Sequence, residues 1–166
     1  MIYTNKGEIV KKIFKLEKIR VLGLDIGSTF IGIGETSSLF KKDSVKPITT
    51  LNRKNPKFTS LLLDIAKDAN AIIVGWPLDD QLREPPNVKN IKNISAFLFQ
   101  NNFLLGRVSE RLTSHEANSI LSQADWKLCL NKKLNDQVAA CLILHNFIDY
   151  AKFYAESNNL QIKNKE

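Results

Sequence analysis

Three carboxylates, Asp25, Glu110 and Asp136, stand where apolar or structural residues are expected. Hard oxygen ligands of this kind can hold divalent ions for hydrolysis of a phosphodiester. Asp25 interrupts the apolar run RVLGLDI. Glu110 closes the segment LLGRVSE, immediately before Arg111. Asp136 is expected in the first turn of a helix whose apolar face is Ala139, Ala140, Ile143 and Phe147, where the helix dipole would favour its ionised form. Held on rigid elements, such a group could place two Mg²⁺ or Mn²⁺ ions about 3.5–4 Å apart, one activating the attacking water and the other stabilising the leaving oxygen. Each residue also has a plainer reading. Glu110 could pair with Arg111 or Arg107, and Asp136 could be only a helix-start residue. Asp25 is the hardest to explain structurally, because charges are rare inside buried strands.

The elements that must position these residues follow from hydrophobic spacing. RVLGLDI reads as a buried strand, Gly27-Ser28-Thr29 as a tight turn, and FIGIGET as a second strand. A third strand is expected over Val45–Leu51, and a helix over Phe58–Ala69 with Leu61, Leu62, Ile65 and Ala69 at helical spacing. AIIVGW is a fourth strand, closed by Pro77. DDQLREPPN reads as a loop, because adjacent prolines exclude regular helix and central strand. Val88, Ile91, Ile94, Phe97 and Leu98 mark a helix, Leu104–Ser109 a fifth strand, Thr113–Ala124 a helix with a capping-box-like start, and Leu134–Phe153 the last helix. The order β-β-β-α-β-α-β-α, closed by a final helix, predicts an α/β domain with a mixed five-stranded central sheet flanked by helices.

Charge adds a partner class. The net charge of +7 is concentrated: residues 1–20 carry +4, residues 41–57 carry +5, and the remainder carries −2. Basic clusters favour polyanions through phosphate neutralisation, although they also serve as solubilising surface. No apolar run approaches the roughly 20 residues needed to cross a bilayer, and residues 1–20 lack a signal-peptide core, so a cytoplasmic protein with no membrane partner is expected. Cys129 and Cys141 form no CxxC pattern and read as reduced structural thiols.

The segments LGLDIGSTFIGIG, AIIVGWPLD, VSERLTSHEA and KKLNDQVAACLIL, in this order and spacing, resemble the YqgF family, also called RuvX. Its members are described as pre-16S rRNA nucleases, within the RNase H-like superfamily of Holliday junction resolvases. The resemblance spans about residues 20–150. It implies an RNase H-like nuclease domain over 20–153, preceded by a basic extension at 1–19 and followed by a polar tail at 154–166. It also implies a cytoplasmic nuclease that trims the 5′ end of 16S rRNA precursors, with Asp25, Glu110 and Asp136 at the family's acidic positions as catalytic and metal-holding residues. Arg111, Lys132, Lys133, Lys41 and Lys42 are then candidates for nucleic-acid contact. A ribosomal particle is an allowed partner, and either a monomer or a homodimer is compatible. The chain departs from the family pattern at Ser109, where an acidic residue is usual, at Phe30, where Arg is common, and in the loop DDQLREPPN, where glycines usually follow.

Two other activities and one non-enzymatic role compete. The DIGST turn also resembles the phosphate loop of sugar kinases and actin-like ATPases, but those use two such lobes and 166 residues provide one. A Holliday junction resolvase acting on four-way DNA shares the fold and the acidic triad. The departures at Ser109 and Phe30 motivate a rRNA-binding assembly factor without catalysis. Cys141, His145 and Asp149 recur at i, i+4 and i+8 as a possible metal stripe, yet no second cluster completes four ligands, so a packed helix flank is expected instead. His115 beside Glu116 could assist proton transfer, but reads better as a helix-start histidine.

Overall fold

A computed structural model describes residues 2–77, 88–109 and 132–160. Five strands form one sheet: β1 (Val21–Ile26), β2 (Phe30–Thr36), β3 (Lys46–Asn52), β4 (Ala71–Trp76) and β5 (Leu105–Ser109). Their order is β3-β2-β1-β4-β5. β2 runs antiparallel to both β1 and β3, whereas β1, β4 and β5 are mutually parallel. The expected mixed α/β sheet is therefore observed. Four α-helices accompany it among the described residues: α1 (Lys6–Ile13), α2 (Phe58–Ala66), α3 (Val88–Gln100) and α4 (Lys132–Ser157).

The central strands β1 and β4 are apolar apart from Asp25 because helices cover both their faces. All six residues of β4 are buried. On one face, Leu22, Leu24, Ile26, Ile31, Ile33, Ile72 and Val74 pack with Leu62 of α2 and with Ile91 and Leu98 of α3. On the other, Val21 and Ile73 pack with Ile143, Leu144 and Phe147 of α4 and with α1. α4 reaches that second face closely because glycines line it. A β-carbon at Gly23 would sit 2.6 Å from the Ala140 carbonyl oxygen, and one at Gly34 would sit 3.1 Å from the Cys141 sulfur.

β3 is an edge strand, which is where Pro47 is tolerated. The opposite edge, β5, is met by the N-terminal segment. The Thr4 amide donates to the Leu105 carbonyl at 2.7 Å, and Asn5 caps α1 by accepting from the Gly7 amide at 2.8 Å. Ile9, Val10 and Ile13 of α1 are fully or almost fully buried, each contributing roughly 1.5–3 kcal/mol. The basic segment at the N-terminus is thus tied into the second core, with Lys11 and Lys12 exposed on its outer side.

Several boundaries differ from the sequence reading. α2 ends at Ala66 rather than Ala69, and β3 covers Lys46–Asn52. α4 is longer at both ends, and Ala155 near its end is buried. Asp136 therefore lies in the second turn of α4, not the first. Dipole stabilisation fades beyond the first turn, so it contributes little at this carboxylate. The helix expected over Thr113–Ala124 lies outside the described residues.

Candidate active site

Strand alternation decides which way the first carboxylate faces. Leu22, Leu24 and Ile26 belong to the α2–α3 core, whereas Val21 and Gly23 face α4. Asp25 shares the parity of Val21 and Gly23, so its side chain lies on the α4 face, half-buried near the end of β1. Its antiparallel partner is Gly32 of β2, with α-carbons about 5 Å apart in such a pair.

Gly32 is also where α4 lands. A β-carbon at Gly32 would overlap the backbone carbonyl of Asp136 and approach the Gln137 amide at 2.9 Å. One glycine thus touches both acids: Asp25 across the strand pair and Asp136 across the sheet–helix contact. The Oδ2 atom of Asp136 is buried from solvent. The space a side chain at Gly32 would need is taken by the α4 backbone at Asp136, so this glycine lets α4 lie directly against the strand pair that carries Asp25. Among the described residues, no group of three metal-capable side chains occurs. Glu110 follows Ser109, the last residue of β5, and lies outside the described residues together with Arg111.

The turn between β1 and β2 is clamped by a residue that charge counting did not single out. The Gly27 amide donates to the Phe30 carbonyl at 2.9 Å. Arg53 Nη1 donates to the Gly27 and Ser28 carbonyls at 3.0 and 2.9 Å, and Nη2 donates to Asn90 Oδ1 at 3.1 Å. The Arg53 guanidinium therefore ties the turn beside Asp25 to α3. In sequence, Arg53 is one of six basic residues in a charged stretch, and no local signal sets it apart.

The start of α4 is anchored similarly. Thr50 of β3 donates from Oγ1 to the Lys133 carbonyl at 2.7 Å and accepts from Gln137 Nε2 at 3.1 Å. Lys133 is exposed, with its Nζ 5.8 Å from the centroid of the Phe30 ring. Lys132 begins α4. Lys41 and Lys42 are exposed, but lie elsewhere. Lys42 Nζ forms a 2.7 Å ion pair with Asp149, which follows Asp136 by more than three helical turns, about 20 Å of helix rise. Lys133 thus meets Phe30 near the start of α4, whereas Lys42 meets α4 near Asp149.

The Cys141, His145 and Asp149 stripe is a helix flank, as expected. Cys141 lies against Gly34, and burial pushes its thiol up to about 11, so it stays protonated at neutral pH. His145 is held below its ordinary pKa by burial and by the charge of Lys42.

Comparison with known proteins identifies the family. The family model described as RuvX, Holliday junction resolvase, matches residues 19–150. An Oenococcus oeni protein provisionally named pre-16S rRNA nuclease is 32% identical over 136 residues, covering 79% of this chain and 94% of the relative. A Fusobacterium nucleatum protein of the same name is 29% identical, covering 80% and 99% respectively. Among solved structures, T. thermophilus RuvC in complex with a Holliday junction substrate matches with a TM-score of 0.50 at 13% identity, covering 81% of this chain and 96% of that one. This likeness concerns the fold, which is RNase H-like. With the family model spanning most of its length, the chain belongs to the RuvX family of Holliday junction resolvase proteins.

Proposed function

We propose that the chain is a nuclease that hydrolyses a phosphodiester bond on the face where Asp25 and Asp136 meet, processing the 5′ end of a 16S rRNA precursor during ribosome biogenesis. The observation that carries this reading is that the backbones of Asp25 and Asp136 both meet Gly32, one as its strand partner and one from α4. The names of the relatives supply the substrate class. Asp25, Asp136 and Glu110 would hold Mg²⁺ or Mn²⁺, whose chemistry is to make water a nucleophile at neutral pH and to neutralise charge developing on the phosphate. The chain's own contribution is positional. Arg53 and Thr50 fix the turn and the helix start that carry the two carboxylates. Burial of the Asp136 Oδ2 atom keeps bulk water from screening its charge.

Arg111, Lys132 and Lys133 are the proposed phosphate contacts nearest the acids in sequence. Lys41 and Lys42 would engage nucleic acid farther along the surface. No described helix is long and apolar enough to cross a membrane, and we place the protein in the cytoplasm with rRNA precursor or a ribosomal particle as partner.

Cleavage of four-way DNA is the second reading, favoured by the description of the family itself. The test is to incubate end-labelled RNA carrying the 16S 5′ leader, and separately a four-way DNA junction, with Mg²⁺ or Mn²⁺. Metal-dependent cutting of the RNA that Asp25→Asn abolishes is expected. Cutting of the junction alone would favour the resolvase. Binding without cutting by the wild type would replace both with a non-catalytic assembly role.

A further inference from the structure

We propose that Phe30 and Lys133 form a platform that stacks one unpaired nucleobase beside the phosphodiester to be cut, a specificity element that rests on the nuclease reading above. Phe30 opens β2 and is only half-buried. By strand alternation it shares the face of Gly32, two residues on, and therefore the face of the acids. Ile31 and Ile33, of opposite parity, fill the α2–α3 core. Among the described residues, Phe30 joins neither apolar cluster. An aromatic ring at a strand end, outside both cores and next to a candidate active site, has a face to offer a ligand.

The ring does not stand alone. Lys133 Nζ lies 5.8 Å from its centroid, near the outer limit of a cation–π contact. Lys133 sits one helical turn before Asp136. Its backbone is fixed by the 2.7 Å hydrogen bond from Thr50, and β3 in turn pairs with β2 through Phe30 and Asn52. Ring and ammonium are therefore held in place by three adjoining elements. Such a pair combines an apolar π-face, which stacks on any base, with a cation for the neighbouring phosphate.

Spacing sets where the base would lie. Phe30 is two strand residues from Gly32, about 7 Å along β2. A base stacked there would hold the adjoining backbone over the Asp25–Asp136 face. Ordered bases inside a duplex do not expose a face, so the platform selects an unpaired or unstacked nucleotide. This chemistry is common to RNA and DNA.

The experiment uses the full chain carrying Asp25→Asn, so that binding is read without cutting. Short single-stranded RNA and DNA oligonucleotides carry 2-aminopurine at successive positions, and fluorescence quenching and anisotropy are recorded together. One position is expected to be quenched, and adding Phe30→Leu should remove that quenching while weakening Kd by about 5- to 100-fold. Phe30→Tyr should restore both, which a purely structural role for ring packing would not require of the spectroscopic signal. Lys133→Gln should weaken binding and flatten the salt dependence by about one charge. Quenching in RNA alone would add a ribose requirement to the platform, and quenching in both would assign it to the base. Oligonucleotide that binds with the same Kd and quenching in Phe30→Leu would overturn the platform and leave the nuclease reading intact. No binding by either protein would overturn both.

Discussion

The two ends of the β1–β2 ladder each present a carboxylate on a strand, and the residues paired with the two carboxylates differ. At one end Leu22 pairs with Glu35, whose side chain is 15% exposed. Arg20 Nε lies 2.8 Å and Lys46 Nζ 3.1 Å from its oxygens. Burial raises the Glu35 pKa, but hydrogen bonds from Arg20 and then Lys46 outweigh it, and the net value is below the ordinary one. Arg20 also donates to the Ile65 carbonyl at 2.8 Å, so this cluster fastens the sheet to the end of α2. At the other end Asp25 pairs with Gly32, and what α4 brings there is a second acid, Asp136. The Glu35 cluster neutralises itself, whereas at the Asp25 end α4 brings the backbone of a second acidic residue against the paired glycine. A charged residue in a strand is thus not by itself a sign of chemistry.

The largest expected effect falls at the Asp25 end. Asp25→Asn and Asp136→Asn should each lower the cleavage rate by at least about 10³-fold, several kcal/mol of lost catalysis, with a change in Tm smaller than a core substitution produces. A fall in Tm comparable to that of a core substitution would make Asp25 a structural acid like Glu35 and dissolve the contrast. Gly32→Ala comes next. Its new methyl must displace the Asp136 carbonyl, at an expected cost of about 1–3 kcal/mol in stability. Misplacement of one acid by even about 1 Å would also cost about 10²-fold in rate. A variant that loses stability but keeps full activity would show that Gly32 only lets α4 pack.

The smallest effect belongs to Glu35→Gln, which should cost about 1 kcal/mol, since its cations are partly exposed, and leave the cleavage rate alone. Its pH dependence has a defined sign. A carboxylate with a depressed folded pKa contributes stability that is complete above its unfolded value, about 4.3, and is lost as pH falls through the lower folded value. Acid melts should therefore converge for wild type and Glu35→Gln below that window and separate above it. Curves separated equally at every pH would mean that charge is not what Glu35 provides.

Much of this scaffold was legible in the residues. Strands buried on both faces must be apolar without interruption, so VLGLDI and AIIVGW declared themselves and Asp25 stood out against its background. Glu35 would have invited the same functional reading on that criterion, and nothing local identifies Arg20 and Lys46 as its partners. Gly32 was less legible still. In FIGIGET the glycines read as strand alternation, and only the approach of α4, about a hundred residues later in the chain, shows why a side chain is excluded there. The N-terminal segment read as a basic extension, because three buried apolar side chains on an eight-residue helix, Ile9, Val10 and Ile13, are a weak periodic signal.

By itself the sequence determined the element types, the mixed α/β class, the family, and Asp25 and Asp136 as candidate ligands, because periodicity, residue chemistry and motif order are local or linear properties. Only the tertiary structure decided that these two acids share one glycine, that Lys133 lies over Phe30, that Lys41 and Lys42 sit far along α4, and that α1 belongs to the core. Those are facts of register and helix approach. A change of one residue in register reverses which face a strand side chain occupies, so they are set by packing across the whole domain.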